Sequence, residues 1–532
     1  MKASYIDYQD TKRFPAGLLR YLQQDPSLDR FYDYEPEFDG FEKLLRDKKV
    51  NANRQVLVKV LREQYAGMQS PLAASVSQQI DLLSQENTFT ISTGHQLNLF
   101  TGPLYFIYKI ATAIKLAQEL KNKFPDKNFV PVYWMATEDH DFEEINHTYI
   151  AGKKISWEAK SSGATGRLAT ETIPEALKSY QGMLGASPNA LQLSSWMMEA
   201  YEQHSNLAAA TRYLVHKLFE GHGLVILDAD HPELKKQFSE IMITDIIEQN
   251  SFKLISETNQ QLKKTGIEAP VNPREINFFY LDEQLRERIV FEEGTYRVLN
   301  TEIEFTETEL RSQIQNHPEK FSPNVVMRPL YQEQILPNLA YIGGGAEILY
   351  WLELKSSFEY YKLDFPILIL RNSAQLLDAR SAHQVHRLGL QPKYLFQPLD
   401  ALKKAWILEN SRHKLSLLQE KESFKALFEQ IKEQARLIDQ TLVPSTEAIE
   451  VRLNKALQNL EKKLLQAEKR NHEEAMVQLE KLQFAIFHQG ELQERSENFG
   501  LYFAQAGPAF IDQLIAAFNP LDFKFTVFTL SK

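Results

Sequence analysis

The chain contains no cysteine. That excludes disulfide bridges, a thiolate nucleophile and thiolate metal sites, and it suits a reducing compartment. Basic residues are outnumbered, 60 Lys and Arg against 70 Asp and Glu, for a net charge of −10. Bulk binding of nucleic acid needs a basic surface, so that class is set aside, while a local basic pocket stays open. No run approaches the ~20 apolar residues of a membrane span. The stretch Met1 to Arg13 lacks the apolar segment of a signal peptide. These absences predict a cytoplasmic protein with neither membrane nor nucleic acid as partner. The rest is ordinary for a globular chain: 532 residues, 43% hydrophobic and 24% charged. That length allows about two to four domains around a large core.

Thr90 to Asn146 organises the sequence. Thr88 to Thr93 is rich in β-branched and aromatic residues and stops at Gly94, which predicts a strand. Pro103 follows Gly102 and predicts a helix starting at the proline. Leu104, Ile107, Ile110 and Ile114 then recur at helical spacing, and Val130 to Thr137 is a second buried strand. A strand–helix–strand unit of this length is a parallel crossover whose loops meet at one sheet edge, the edge where open α/β sheets bind ligands.

The remaining chain divides by composition. Residues 1–150 are the first part of the core, with 11–87 wrapping it. Residues 151–220 are a loop-rich then helical insertion, and 221–240 return a core strand ending in Asp228 and Asp230. Residues 241–324 carry two helices and alternating segments such as Phe278 to Leu281, which predict a second insertion with a small antiparallel sheet. Residues 325–410 are the second part of the core, with a glycine turn at Gly343 to Gly345 and a strand ending at Arg371. From 411 to 490 apolar residues from Ile449 to Leu482 fall at steps of three and four, with a mean above the 3.5 residues of a heptad. A first helix ends before Pro444 and a second starts at Ser445, which predicts a helical hairpin. A lone hairpin leaves an apolar stripe, so a packing partner is expected. Residues 491–532 are a C-terminal core segment with a closing strand.

Three groups of residues suggest chemistry. Thr93-Gly94-His95-Gln96 joins strand to helix and could offer backbone N–H groups to an anion; a structural turn explains it equally well. Glu138-Asp139-His140-Asp141 places four ionisable residues after a buried strand, where they bind a ligand, bind one another, or cap a helix. Its spacing matches no zinc signature, and no metal site is predicted. Arg328, Arg371 and Asn372 lie near predicted strand ends, where guanidinium forks suit carboxylates and phosphates; the plain alternative is a buried pair with Asp228 or Asp230.

The motifs T-G-H-Q-L-N-L-F-T-G-P-L-Y, V-P-V-Y-W-M-A-T-E-D-H-D-F-E-E-I-N-H, G-H-G-L-V-I-L-D-A-D-H-P and R-P-L-Y-Q-E-Q-I-L-P-N-L-A-Y-I-G-G-G-A-E occur in this order before the hairpin. Together they resemble the family of bacillithiol biosynthesis cysteine-adding enzymes, from about Phe14 to the C-terminus. The resemblance implies a Rossmann-like α/β core akin to nucleotidylyltransferases and class I aminoacyl-tRNA synthetases. It also implies inserted connective domains and a coiled-coil hairpin used for homodimerisation. The implied reaction joins cysteine to glucosaminyl-malate through an amide bond, the last step of bacillithiol synthesis. The T-G-H-Q segment would stand where a synthetase's His-Ile-Gly-His signature holds nucleotide.

On that reading ATP activates the cysteine carboxylate, with Mg only as the nucleotide's companion. Asp139, His140 and Asp141 are the candidates for holding or deprotonating the attacking amine. Gly94, His95, Gln96, Asn98, Gly102, Asn146, Gly343, Gly344 and Glu347 are the candidate substrate or nucleotide contacts. Arg328 and Arg371 are candidates to grip the malyl carboxylates. The competing readings are a metal-dependent hydrolase built on the Glu138 to Asp141 block and a non-catalytic dimeric scaffold.

Overall fold

The computed structural model of the protein describes residues 1–68, 72–413, 415–487 and 490–530. The expected spans 411–490 and 491–532 include Lys414, His488, Gln489, Ser531 and Lys532, which lie outside the described residues.

Five short runs of apolar and β-branched residues form the central sheet: β1 (Thr88–His95), β2 (Asn128–Met135), β3 (Val225–Asp228), β4 (Asn338–Gly343) and β5 (Ile367–Leu370). They are buried along nearly their whole length, as strands covered on both faces must be. Their order is β5-β4-β1-β2-β3, and every neighbouring pair is parallel. The chain thus steps outward from β1 in one direction and later resumes on its other side. The order reverses between β1 and β4, and a crevice opens outside the strand ends at such a point. This is a Rossmann-like doubly wound sheet.

Helix α1 (Tyr105–Lys123) connects β1 to β2 and packs on both. Its Ala113, Leu116, Ala117 and Leu120 join Phe89, Ile91, Leu339, Ile342 and Ile369 in one buried cluster. Two local expectations need correction. β1 does not stop at Gly94 but pairs with β2 through His95. α1 starts at Tyr105 rather than at Pro103, which instead forms a bridge with Asn498. Gly102 ahead of it has φ +66°, and a Cβ there would come within 2.7 Å of Asn98 Cβ. The position therefore requires glycine.

The second insertion folds as expected into an antiparallel sheet, ordered 304–305, 295–298, 285–292, 278–282, 321–323. A third sheet was legible only in its last strand. Lys524–Thr529 pairs antiparallel with Lys2–Asp7 and parallel with Ala374–Leu377, bringing both ends of the chain together.

Within the second part of the core, α2 (Arg328–Ile335) precedes β4 and α3 (Gly345–Trp351) follows it; after the core come α4 (Leu418–Ile438), α5 (Val443–Asn471) and α6 (Glu473–Ile486). Helices α4 and α5 form the hairpin, zipped by Lys421–Glu461 at 2.5 Å and Lys432–Glu450 at 2.7 Å. Pro444 lies inside the first turn of α5, where its missing N–H costs no helical bond, so the second helix starts before Ser445. The helix also ends at Asn471. Ala475, Leu479 and Leu482 belong to α6, whose Met476, Leu479, Leu482 and Ile486 are buried. α6 packs against helices Ala379–Arg387 and Leu399–Asn410, so part of the 325–410 stretch lies with the helical region. Among the described residues no helix is long and apolar enough to cross a membrane.

Two buried carboxyls give stability a pH dependence. Glu353 is fully buried and accepts from the Val271 N–H at 3.2 Å; burial pushes it up to about 7. Burial likewise raises Glu333 to about 7, against the pull of Lys48 at 3.7 Å. The unfolded carboxyl has the lower pKa, so the folded chain holds protons that the unfolded chain releases. The contribution is fully present below about 4.3 and is lost as pH rises through 7. The melting temperature is expected to fall between pH 5 and 8. E353Q, whose amide mimics the protonated acid, should melt higher than wild type at pH 8 and no higher at pH 5. Parallel melting curves would refute this.

Candidate functional site

A cavity of about 870 Å³ opens at the carboxyl ends of β1, β2 and β4, with the inserted antiparallel sheet as its far wall. It sits at the point where the strand order reverses. β1 delivers His95 and Gln96, and β2 delivers Trp134 followed by Glu138 and Asp139. The turn after β4 contributes Gly344 and Glu347, and β5 leads to Arg371. α1 adds Tyr105 and Lys109 one helical turn apart, and α2 begins with Arg328.

The cavity inverts the charge of the protein around it. Lys109, Arg274, Arg286, Arg288, Arg328, Arg371 and Arg495 line it against only Glu138, Asp139 and Glu347. Each of those carboxylates is already engaged. Glu138 lies 2.5 Å from Lys235. Asp139 accepts from Gln96 at 2.6 Å and from the His140 N–H at 2.7 Å. Glu347 takes Lys109 at 2.7 Å, the Gly344 N–H at 2.6 Å and the Tyr341 hydroxyl at 3.1 Å. Burial alone would raise the Glu347 carboxyl, but Lys109, the Gly344 N–H and Arg328 hold it below the ordinary glutamate value.

The cations are less completely matched. Arg371 pairs with buried Glu494 at 2.8 Å. Arg328 makes no ion pair among the described residues; it donates to Gln332 at 3.1 Å and to the Tyr350 hydroxyl at 3.4 Å. Its guanidinium stands over the rings of Tyr341 and Trp134, 5.4 and 5.9 Å from their centroids. A half-buried cation held only by neutral groups and aromatic faces is a ready partner for an anion. His95 stacks on Tyr105, with centroids 5.2 Å apart, and its Nε2 is buried without a hydrogen-bond partner among the described residues. Burial, with Lys109 and Arg371 close by, drives its pKa well below the ordinary histidine value, so the imidazole is neutral.

The sequence candidates divide. Gly94, His95, Gln96, Asp139, Arg328, Gly344, Glu347 and Arg371 line the cavity; His140, Asp141, Asn98, Gly102, Asn146 and Gly343 do not. Gly94 is no phosphate loop: it sits in the ladder opposite Trp134, and its carbonyl accepts from Lys109 at 2.9 Å. Arg328 starts a helix rather than ending a strand, and neither it nor Arg371 pairs with Asp228 or Asp230. Asp230 is taken by Arg167 at 2.7 Å and Lys235 at 2.8 Å, and Asp228 by the Thr137 hydroxyl at 2.5 Å. Asn98, Gly102 and Asn146 belong to the scaffold: Asn498 donates to the Gly102 carbonyl at 2.7 Å, and Trp157 N–H to the Asn146 carbonyl at 2.7 Å. Gly343 closes β4 and accepts from the Arg371 N–H.

His140 and Asp141 are exposed on the outer side of the block. Arg286 donates to His140 Nδ1 at 2.5 Å, and burial and this guanidinium lower the histidine pKa. Asp141 caps the short helix Phe142–Ile145 by accepting from the Glu144 N–H at 3.3 Å. D141A should accordingly cost about 1 kcal/mol of stability, a typical cap, and leave turnover of the folded enzyme within about twofold. A hundredfold loss of turnover in folded D141A would restore it to the site.

Sequence reading missed Lys109, Arg286 and Arg288. Lys109 had a signal: a charge flanked by Tyr108 and Ile110, one turn from Tyr105, in a helix whose first half carries no other charge. Arg286 and Arg288 alternate along one strand and so share a face, but nothing local says that this face covers the core crevice.

Residues 1–372 match the family described as bacillithiol biosynthesis BshC, N-terminal Rossmann-like domain. Residues 374–530 match bacillithiol biosynthesis BshC, C-terminal coiled-coil domain. The chain is 45% identical to a Flavobacterium johnsoniae protein named "Putative cysteine ligase BshC", covering 100% of both chains. It is 44% identical to the Flavobacterium psychrophilum protein of the same name, covering 99% of each, and 29% identical to that of Bacillus cytotoxicus, covering 93% and 94%. With its doubly wound sheet and late helical hairpin, the chain belongs to the BshC family of bacillithiol biosynthesis.

Proposed function

We propose that the protein joins L-cysteine to glucosaminyl-malate, forming the amide between the cysteine carboxyl and the glucosamine amine. The observation that carries this reading is the cation-rich cavity at the switch point of the sheet, in a chain of this family. Glucosaminyl-malate brings two carboxylates, and Arg328 is the cation best placed to receive one. The insertion's Arg286 and Arg288 face the same space.

A carboxylate is a poor electrophile, so we assign ATP as the activator. The cysteine carboxylate oxygen attacks a phosphorus of ATP, giving an acyl-adenylate with release of pyrophosphate or an acyl-phosphate with release of ADP. The glucosamine nitrogen then attacks the acyl carbon, loses a proton, and expels AMP or phosphate. The excess of cations fits polyphosphate and developing negative charge, and fixed charges of this kind lower the barrier without reorganisation. Asp139, the member of the acidic block's candidate trio that lines the cavity, is the acceptor we assign for the amine proton. Any Mg is assigned to the nucleotide, as its companion.

The deciding experiment incubates purified protein with glucosaminyl-malate, cysteine and ATP and weighs the product by mass spectrometry. A product heavier by one cysteinyl residue, dependent on ATP, is expected. Amide formation without ATP would overturn the activation step, and no amide under any condition would overturn the function.

We also propose a cytoplasmic homodimer formed through the hairpin. Leu427, Ile431, Leu453 and Leu460 are exposed on α4 and α5, an apolar surface that a second copy would cover. L427E/I431E should turn a dimer into a monomer in light scattering. An unchanged dimer mass would remove this face from the interface.

A further inference from the structure

Lys109 is buried on the inner face of α1, and its ammonium is committed to two acceptors: the Gly94 carbonyl at 2.9 Å and the Glu347 carboxylate at 2.7 Å. It thereby straps the end of β1 to the turn after β4. Arg328 stands close by. A Cβ placed on Gly94 would lie 3.5 Å from both Arg328 Nη1 and the Tyr341 hydroxyl, and that hydroxyl donates to Glu347 at 3.1 Å. Glu347 is thus one side chain away from Arg328, yet the two form no ion pair. Deprived of Lys109, a carboxylate at this depth would seek another cation, because an unpaired buried charge is strongly disfavoured. Arg328, which no carboxylate holds among the described residues, already acts on the Glu347 charge.

We propose that Lys109 is a positioning residue which occupies Glu347 and so keeps the Arg328 guanidinium free for the anionic group of the substrate. This role rests on the proposed function, in which Arg328 receives that anion. Lys109 itself need not touch substrate. Its role is to decide which cation satisfies the Glu347 carboxylate.

The test measures glucosaminyl-malate binding by calorimetry to the full-length protein. K109M should weaken binding at least about tenfold, because Glu347 now competes with the ligand for Arg328. K109M/E347Q, which removes the competitor as well, should bind at least about fivefold more tightly than K109M alone, a coupling between neighbouring side chains. A purely structural lysine would cost K109M stability, which E347Q also restores, but would leave the affinity of the folded fraction at the wild-type value; that result, or a double variant that binds no better than K109M, overturns the proposal. Where K109M does not fold, K109R takes its place: it keeps a cation beside Glu347 and should hold affinity within about threefold. A tenfold loss in folded K109R overturns the proposal equally. R328A is measured alongside. Undiminished binding in R328A refutes the Arg328 reading itself, whereas weak binding in R328A with normal binding in K109M refutes only the role of Lys109.

Discussion

R328A is expected to lose about 10²-fold or more in kcat/KM for glucosaminyl-malate while keeping the wild-type fold. The magnitude follows from the setting. Removing one partner of a desolvated charge pair costs about 2–5 kcal/mol, and each 1.4 kcal/mol is about a factor of ten. Little stability should be lost, because the guanidinium binds no buried carboxylate. Its partners are the neutral Gln332 and Tyr350, at 3.1 and 3.4 Å. R328K should lie between wild type and R328A, since an ammonium keeps the charge but loses the planar fork that matches a carboxylate. Far-UV circular dichroism and a melting curve accompany the kinetics. Folded R328A with kcat/KM within about threefold of wild type would show that the anion binds elsewhere in the cavity.

The largest loss of stability is expected from K235M. Lys235 is fully buried and lies 2.5 Å from Glu138 and 2.8 Å from Asp230, and it also donates to the Glu319 carbonyl at 3.1 Å. It ties the end of β2 to the chain after β3 and to the inserted segment above them. Without it two buried carboxylates face each other, with only Arg167 left on Asp230. Breaking such a cluster from one side typically costs about 3–5 kcal/mol, measured here as a lower urea midpoint at pH 7.5. The sign with pH is fixed by the same charges. In K235M the orphaned carboxyls are driven upward, the folded protein holds their protons more tightly than the unfolded chain, and stability recovers as pH falls toward 5. K235M/E138Q/D230N, which removes both charges, should regain much of the loss. A K235M midpoint equal to wild type would show that the three groups are not coupled.

Much of the core was legible because its signals are local. β1, β2, β3 and β5 are unbroken apolar or β-branched runs ended by glycine or polar residues, and such runs have few alternatives to a buried strand. The N-terminal strand Lys2–Asp7 was not legible. It exists because Lys524–Thr529 lies beside it, more than five hundred residues away along the chain. The hairpin was legible as a period, but not its end: the period continues past Asn471 into a separate helix that is buried instead of exposed.

The acidic block shows the limit most plainly. Glu138, Asp139, His140 and Asp141 are equivalent in sequence, four ionisable groups after one strand. The structure turns Glu138 inward to Lys235, gives Asp139 to Gln96, His140 to Arg286 and Asp141 to a helix cap. By itself the sequence determined the parallel α/β core, the helical hairpin and the edge of the sheet at which a ligand must enter, since hydrophobic period and turn chemistry act over a few residues. Only the tertiary structure decided which charges line the cavity at that edge. Lys109, Glu347, Arg328 and Arg286 come from four separate stretches of chain, and which cation a buried carboxylate takes depends on distances of a few ångströms that only packing sets.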